Sequence, residues 1–170
     1  MRPIRLSRRL EPFDSDQFIF ELKIDGFRAL AHIEAGEGKL ISRNGNTFRG
    51  FADLATWIAE HLRVESAILD GEIACVDEGG RPVFRDLLFR RRQCVFIAFD
   101  LLYLNGRDLR TLPLIERKAM LKKLLQRKRS RILPGIPRFD DPEAPQLCNP
   151  PFFNRLPGES PSLKTQSLLS

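Results

Sequence analysis

Cysteine is scarce in this chain. Cys75, Cys94 and Cys148 are the only three in 170 residues, and they lie far apart. Their number and spacing match neither a metal site nor a disulfide framework, and predict reduced thiols buried as small apolar groups. Long apolar runs are missing as well. No segment approaches the roughly 18 consecutive apolar residues that could span a bilayer. The basic N-terminal stretch MRPIRLSRRLEPF is not followed by the apolar core of a signal peptide. Both absences exclude a membrane role and place the protein in the cytoplasm. The glycines build no phosphate cradle either: no G-x-x-x-x-G-K-[ST] occurs, and Gly36-Glu37-Gly38 lacks the third glycine of a dinucleotide loop. Internal repeats are absent.

What is there suits one domain with a real core, or a domain plus a loose tail: 42% of the residues are hydrophobic. The net charge is +6, with basic clusters at Arg2–Arg9, Arg90–Arg92 and Lys122–Arg131. Such a surface attracts polyanions by counterion release without reading their sequence, although a solvated charged face would look the same.

Residues 17–34 read as two strands around a tight turn at Ile24-Asp25-Gly26, the first β-branched and aromatic and the second alternating. Gly36 and Gly38 mark the next turn, residues 39–43 resume as a strand, and Asn44-Gly45 turns again. From Phe51 to Leu62 the apolar spacing is helical, through Leu54, Ala55 and Ile58, with Asp53 placed to favour the helix dipole. Residues 66–77 read as a strand, and residues 94–104, almost wholly apolar, as a central strand buried on both faces. Residues 114–129 are helical, with Leu114, Ala119, Leu121, Leu124 and Leu125 roughly on one side and the lysines and arginines on the other. Residues 132–170 hold 8 of the 12 prolines and predict a disordered or poorly packed tail.

Chemistry concentrates in three segments. In Glu21-Leu22-Lys23-Ile24-Asp25-Gly26-Phe27-Arg28, a lysine ends a strand just before a turn. Asp25 is two residues on, Gly26 permits a backbone conformation that other residues resist, and Arg28 is a fixed cation nearby. A lysine amine attacks only when neutral, and with an ordinary pKa of about 10.4 that neutrality costs roughly 4–5 kcal/mol at pH 7. Desolvation or neighbouring cations can supply the shift; without them Lys23 is a surface lysine paired with Asp25. In Leu69-Asp70-Gly71-Glu72-Ile73, two carboxylates interrupt an apolar strand, where they need partners or a metal. Glu72 could hold a ribose hydroxyl or hydrated Mg²⁺, or simply face water on an edge strand. In Phe96–Tyr103 an aromatic on a rigid strand can stack on a purine, or be plain core.

Taken together, the order and spacing of these segments resemble the nucleotidyltransferase core of ATP-dependent DNA ligases, especially the bacterial repair type, over residues 13–131. The resemblance implies an α+β, ATP-grasp-like adenylation fold, a mostly antiparallel sheet with flanking helices. A basic arm (residues 1–12) would precede it and the proline-rich tail would follow. It implies that Lys23 forms a phosphoamide with AMP, with Asp25 beside it as a second catalytic group. Glu21 would contact the adenine amino group, with Leu22 also lining the ATP pocket. Arg28 would meet the ribose or the DNA phosphate, Arg43 of Ser42-Arg43-Asn44-Gly45 the ribose and phosphates, Glu72 the ribose and metal, and Phe99 the adenine face. The implied cofactors are ATP and Mg²⁺, the partner nicked double-stranded DNA, and the working form a monomer, serving DNA repair and recombination. RNA ligases and capping enzymes share K-x-D-G and a later acidic motif, and a non-catalytic ATP- or DNA-binding fragment is a further reading. The glutamate-glycine strand, the K-x-K pair and the oligonucleotide-binding barrel expected after residue 131 are absent, so the chain is expected to be a truncated form with weak activity or none.

Overall fold

The computed structural model describes residues 21, 24–77, 82–89, 93–125 and 132–134. The strand expected at residues 17–23 and most of the proline-rich tail lie outside them. The described elements run β1 (Phe27–Glu34), β2 (Glu37–Ser42), a 3-10 turn (Arg49–Phe51), α1 (Ala52–Leu62), β3 (Ser66–Cys75), α2 (Phe84–Phe89), β4 (Cys94–Leu104), β5 (Arg107–Asp108), α3 (Leu114–Leu125) and β6 (Ile132–Pro134). The strands form one sheet in the order β2-β1-β3-β4-β5, antiparallel throughout, with β6 running parallel to β4. The expected α+β class, a mostly antiparallel sheet with flanking helices, is what the structure shows.

Two tight hairpins set the register. Ala35 and Gly36 (φ 48° and 82°) join β1 to β2, and Asn105 and Gly106 (φ 44° and 85°) join β4 to β5. Consecutive left-handed residues twist with the strands, which is why such pairs dominate two-residue hairpins. The first turn pairs Ala31 with Leu40 and Leu30 with Ile41. One sheet face, with Ala29, Ala31, Leu40, Leu69, Ile73, Phe96 and Leu101, packs on α1 and α3 as the main core. In α1 the residues picked out by helical spacing (Leu54, Ala55, Ile58 and Leu62) are all buried.

β4 is buried along nine of its eleven residues, as its apolar run predicts. Ile132, Leu133 and Pro134, counted above with the tail, pair with Phe96, Ile97 and Ala98 of β4. Helix α2 was not anticipated; it is a six-residue turn with Phe84, Leu88 and Phe89 exposed. The cysteine expectation fails at two positions. Cys75 and Cys94 are direct cross-strand partners in the β3–β4 ladder, and the structure joins them in a disulfide. Their 19-residue separation gave no hint of this, because the pairing depends on the register of β3 against β4.

Helix α3 also departs from its sequence reading. Ala119 is exposed, whereas Arg117 and Lys118 are buried. The helical spacing accounts for it: positions 117, 118, 121 and 125 follow Leu114 by three, four, seven and eleven residues, all on one face. A buried face with two cations on it needs anions opposite, and the sheet supplies them.

Candidate functional site

The sheet face away from the main core carries the chemistry. Direct cross-strand pairs put Arg28 of β1 opposite Glu72 of β3, and Glu72 opposite Ile97 of β4. Residues paired in this way project from the same face. A small apolar group of Ala74, Val95, Ile97 and Phe99, with Ile24 and Val76 against it, floors this side.

Arg28 takes Asp70 as its partner. Its Nε donates to Oδ1 at 2.8 Å and its Nη2 to Oδ2 at 2.9 Å, a two-pronged fork onto a carboxylate with no solvent exposure. The same guanidinium lies over the Phe99 ring, 5.0 Å from its centre, within range of an attractive cation–ring contact. Arg28 is therefore locked on two sides and presents a cation of fixed position.

Glu72 has no such lock. Burial pushes its carboxyl up to about 7; the Arg28 charge and a hydrogen bond donated by the Gly26 backbone N–H oppose this, and the charges of Asp70 and Asp25 add to it. A carboxyl that holds its proton near neutral pH is poised to exchange it for a cation or a hydroxyl donor. The raised value has a stability consequence. Its contribution is fully present below the ordinary value of 4.5 and is lost as pH rises through about 7. Glu72→Gln is thus expected to be the more stable protein at pH 8, by on the order of 1–2 kcal/mol after discounting for solvent screening. The gap should close at pH 4.5. Urea midpoints at both pH values check this, and a wild type at least as stable as the variant at pH 8 would contradict it.

Gly26 is needed for space. Its backbone is not in the left-handed region, contrary to the conformational role expected from sequence. A Cβ there would run into the Ile73 carbonyl oxygen and lie 2.7 Å from Glu72 Cγ. The segment leading out of Lys23 is thereby pressed against β3 beside Glu72. Leu22 and Lys23 themselves lie outside the described residues. Asp25 is exposed at the start of this segment. Arg43 is also exposed, one residue beyond the Ala29–Ser42 pair, in the turn held by Gly45 N–H on the Ser42 carbonyl at 2.9 Å.

Phe99 owes its setting to a break in the ladder. Gly71 pairs with Ala98 and Asp70 with Asp100, so Phe99 is the extra residue of a β-bulge. Bulges re-aim side chains and leave backbone groups without ladder partners. Lys118 of α3 donates to the Phe99 carbonyl at 2.8 Å and to Glu21 Oε1 at 2.5 Å. The lysine and glutamate side chains are 3% and 9% exposed, so this is a buried bridge from the segment before Lys23 to the strand carrying Phe99. Next to it, Arg117 grips Asp100, Nε to Oδ1 at 2.9 Å and Nη2 to Oδ2 at 2.9 Å.

Glu21, Arg28, Glu72 and Phe99 are thus brought together around β1, β3 and β4, with Asp25 near enough for its charge to act on Glu72, while Arg43 is exposed in the turn after β2. Sequence reasoning singled out Asp70 as a carboxylate in need of a partner without naming Arg28 as that partner, and it missed Arg117 and Lys118. Asp100, a carboxylate inside an apolar strand, was the available signal: it requires a buried cation, and the helix that follows offers two on its apolar face.

A family profile described as the ATP dependent DNA ligase domain matches residues 4–135. DNA ligase 2 of Methanosarcina acetivorans is 39% identical over 120 residues, covering 62% of this chain and 21% of that protein. The multifunctional non-homologous end joining protein LigD of Pseudomonas aeruginosa is 36% identical over 115 residues, covering 65% of this chain and 14% of that protein. Among solved structures, mycobacterial DNA ligase D complexed with ATP and MES matches with a TM-score of 0.66 at 28% identity, covering 78% of this chain and 45% of that one. The chain therefore spans 21% and 14% of the length of these two curated relatives. Among the described residues no helix is long and apolar enough to cross a membrane.

Proposed function

The chain belongs to the ATP-dependent DNA ligase family, and from that membership we propose that it carries the adenylation chemistry of nick sealing, with Lys23 as the acceptor of AMP. The neutral Lys23 amine attacks the α-phosphorus of ATP. A nitrogen–phosphorus bond forms, the bond to the β-phosphate oxygen breaks, pyrophosphate leaves with the electron pair, and the amine proton goes to solvent. AMP then passes to the 5′-phosphate of a nick in double-stranded DNA, and the 3′-hydroxyl displaces it. The observation that carries this reading is the close approach of Gly26 to Glu72 and Ile73. It sets the residues that follow Lys23 in the chain, Ile24 to Phe27, beside a half-buried carboxyl, an anchored guanidinium and the Phe99 ring, which supports the reading.

In this reading Glu21 and Phe99 meet the adenine, Leu22 lines the pocket, and Arg28 and Arg43 meet ribose and phosphate. Asp25 stands beside the reacting lysine. Among the described residues no three His, Cys, Asp or Glu side chains cluster as a metal cage. One carboxyl suits Mg²⁺, which keeps several waters and borrows phosphate oxygens. Glu72 would hold it, and the ion would neutralise charge building on the leaving phosphates. We assign the work to cytoplasmic DNA repair and recombination by a monomer, with the net charge of +6 assisting contact with DNA.

The test is covalent labelling. The full chain is incubated with α-labelled ATP and Mg²⁺, beside Lys23→Ala and beside labelled GTP, and resolved under denaturing conditions. The expected result is weak label from ATP on the wild type, in keeping with a partial adenylation domain, none on Lys23→Ala, and less still from GTP. Label that survives Lys23→Ala, or a wild type that takes none, would overturn the assignment. Equal labelling by GTP would redirect it toward capping chemistry.

A further inference from the structure

Lys118 is one of two buried cations on α3, with Arg117, that the nucleotide chemistry above does not use. Its ammonium joins two groups of different origin: the Glu21 carboxylate at 2.5 Å and the Phe99 carbonyl at 2.8 Å. That carbonyl belongs to the extra residue of the β4 bulge, which has no cross-strand partner. The ammonium thus fixes Glu21 relative to the residue whose ring is the stacking surface. A carboxylate has about four lone-pair sites, so one lysine N–H leaves capacity to accept another hydrogen bond. A carboxylate bonded to a lysine N–H presents its remaining lone pairs in a fixed direction as acceptors.

We propose that Lys118 is a positioning residue that sets purine specificity, holding Glu21 as a hydrogen-bond acceptor that takes the 6-amino group of adenine and repels the 6-carbonyl of guanine or hypoxanthine. The proposal rests on the reading that Glu21 and Phe99 receive the base. Adenine offers two donor hydrogens at C6. Guanine and hypoxanthine offer an acceptor oxygen there, so a fixed carboxylate meets them acceptor to acceptor, which leaves both groups without a donor in a dry site. With Lys118 gone, Glu21 is no longer held against the Phe99 carbonyl and loses that distinction.

Equilibrium binding of labelled ATP, GTP and ITP to the full chain, in EDTA so that no covalent step intervenes, tests this. ITP differs from ATP at the six-position and N1 while keeping the rest of the nucleotide. The wild type is expected to favour ATP over ITP by at least ~10-fold. In Lys118→Met and Lys118→Gln the ratio should fall toward one, mainly through weaker ATP binding, and Lys118→Arg should keep most of it. A purely structural lysine would weaken all three nucleotides together and leave the ratio alone. Glu21→Gln, whose amide can donate as well as accept, should also collapse the ratio with Lys118 intact, which keeps the test decisive if the Lys118 variants do not fold. A wild type whose ratio collapses in Glu21→Gln but is indifferent to Lys118→Met overturns this proposal alone; a ratio indifferent to both also removes Glu21 from the base. A wild type that binds no ATP overturns the nucleotide reading on which it stands.

Discussion

Asp100→Ala is expected to cost about 3–5 kcal/mol, the range for breaking a buried ion pair by removing one partner. Asp100 is 2% exposed. It receives Arg117 through Nε and Nη2 at 2.9 Å each, and its Oδ1 accepts the Leu101 backbone N–H at 2.8 Å. Alanine would leave a guanidinium in the core and an amide without its acceptor where the β4 bulge already interrupts the ladder. Arg117 would keep only the hydrogen bond from Nη1 to the Leu112 carbonyl, 2.6 Å long. Total stabilities of single domains run about 5–15 kcal/mol, so much of the native population should be lost under mild denaturant. Urea unfolding followed by circular dichroism measures this. The paired change Asp100→Leu with Arg117→Met, which removes both charges and keeps volume, should recover most of the loss. A loss below about 1 kcal/mol in the single variant would mean that the pair does not hold α3 on the sheet.

Gly71→Ala is expected to be nearly as damaging, at about 3 kcal/mol. The new methyl would meet the Ile97 carbonyl oxygen and would lie 2.6 Å from Phe96 Cζ and 2.9 Å from Cε1. Neither obstacle can give way: one is ladder backbone and the other is a ring with no solvent exposure. Gly71 also separates Asp70 from Glu72, so β3 cannot shift without moving both carboxylates. Nucleotide binding should therefore fall along with stability. Gly36→Ala is the control, since nothing lies within 4 Å of its Cβ and only its φ of +82° is at stake; it should cost about 1 kcal/mol. Thermal unfolding should separate the two, with the melting temperature falling by more than about 10 °C for Gly71→Ala alone. Similar melting points for both would show that the β3–β4 contact can relax.

The legible parts of the chain were those governed by local rules. The apolar run of residues 94–104 marked β4 to the residue, and the spacing of Phe51, Leu54, Ala55, Ile58 and Leu62 marked the buried face of α1. The two-residue β5 was too short to register. Of the candidate site residues, Arg28, Glu72 and Phe99 were found from motifs, and the structure sets them around one sheet face. The Arg28–Asp70 fork was not legible, because 42 residues separate its ends and only the β1–β3 register brings them together. Lys118 was assigned to solvent because charge outweighed position in the reading of α3. Its spacing from Leu114 and Leu121 pointed inward all along.

By itself, then, the sequence determined the longer strands and helices among the described residues, most of the turns, and which family motifs the chain carries. These follow from side-chain period, turn residues and short-range pattern, all written within a few residues. The tertiary structure alone decided the partners: Asp70 for Arg28, Asp100 for Arg117, Glu21 for Lys118, and Cys75 for Cys94. Strand register and the seating of α3 are collective outcomes of burial. A buried charge can be seen in a sequence to need a counter-ion, but which residue answers it is settled only when the sheet closes.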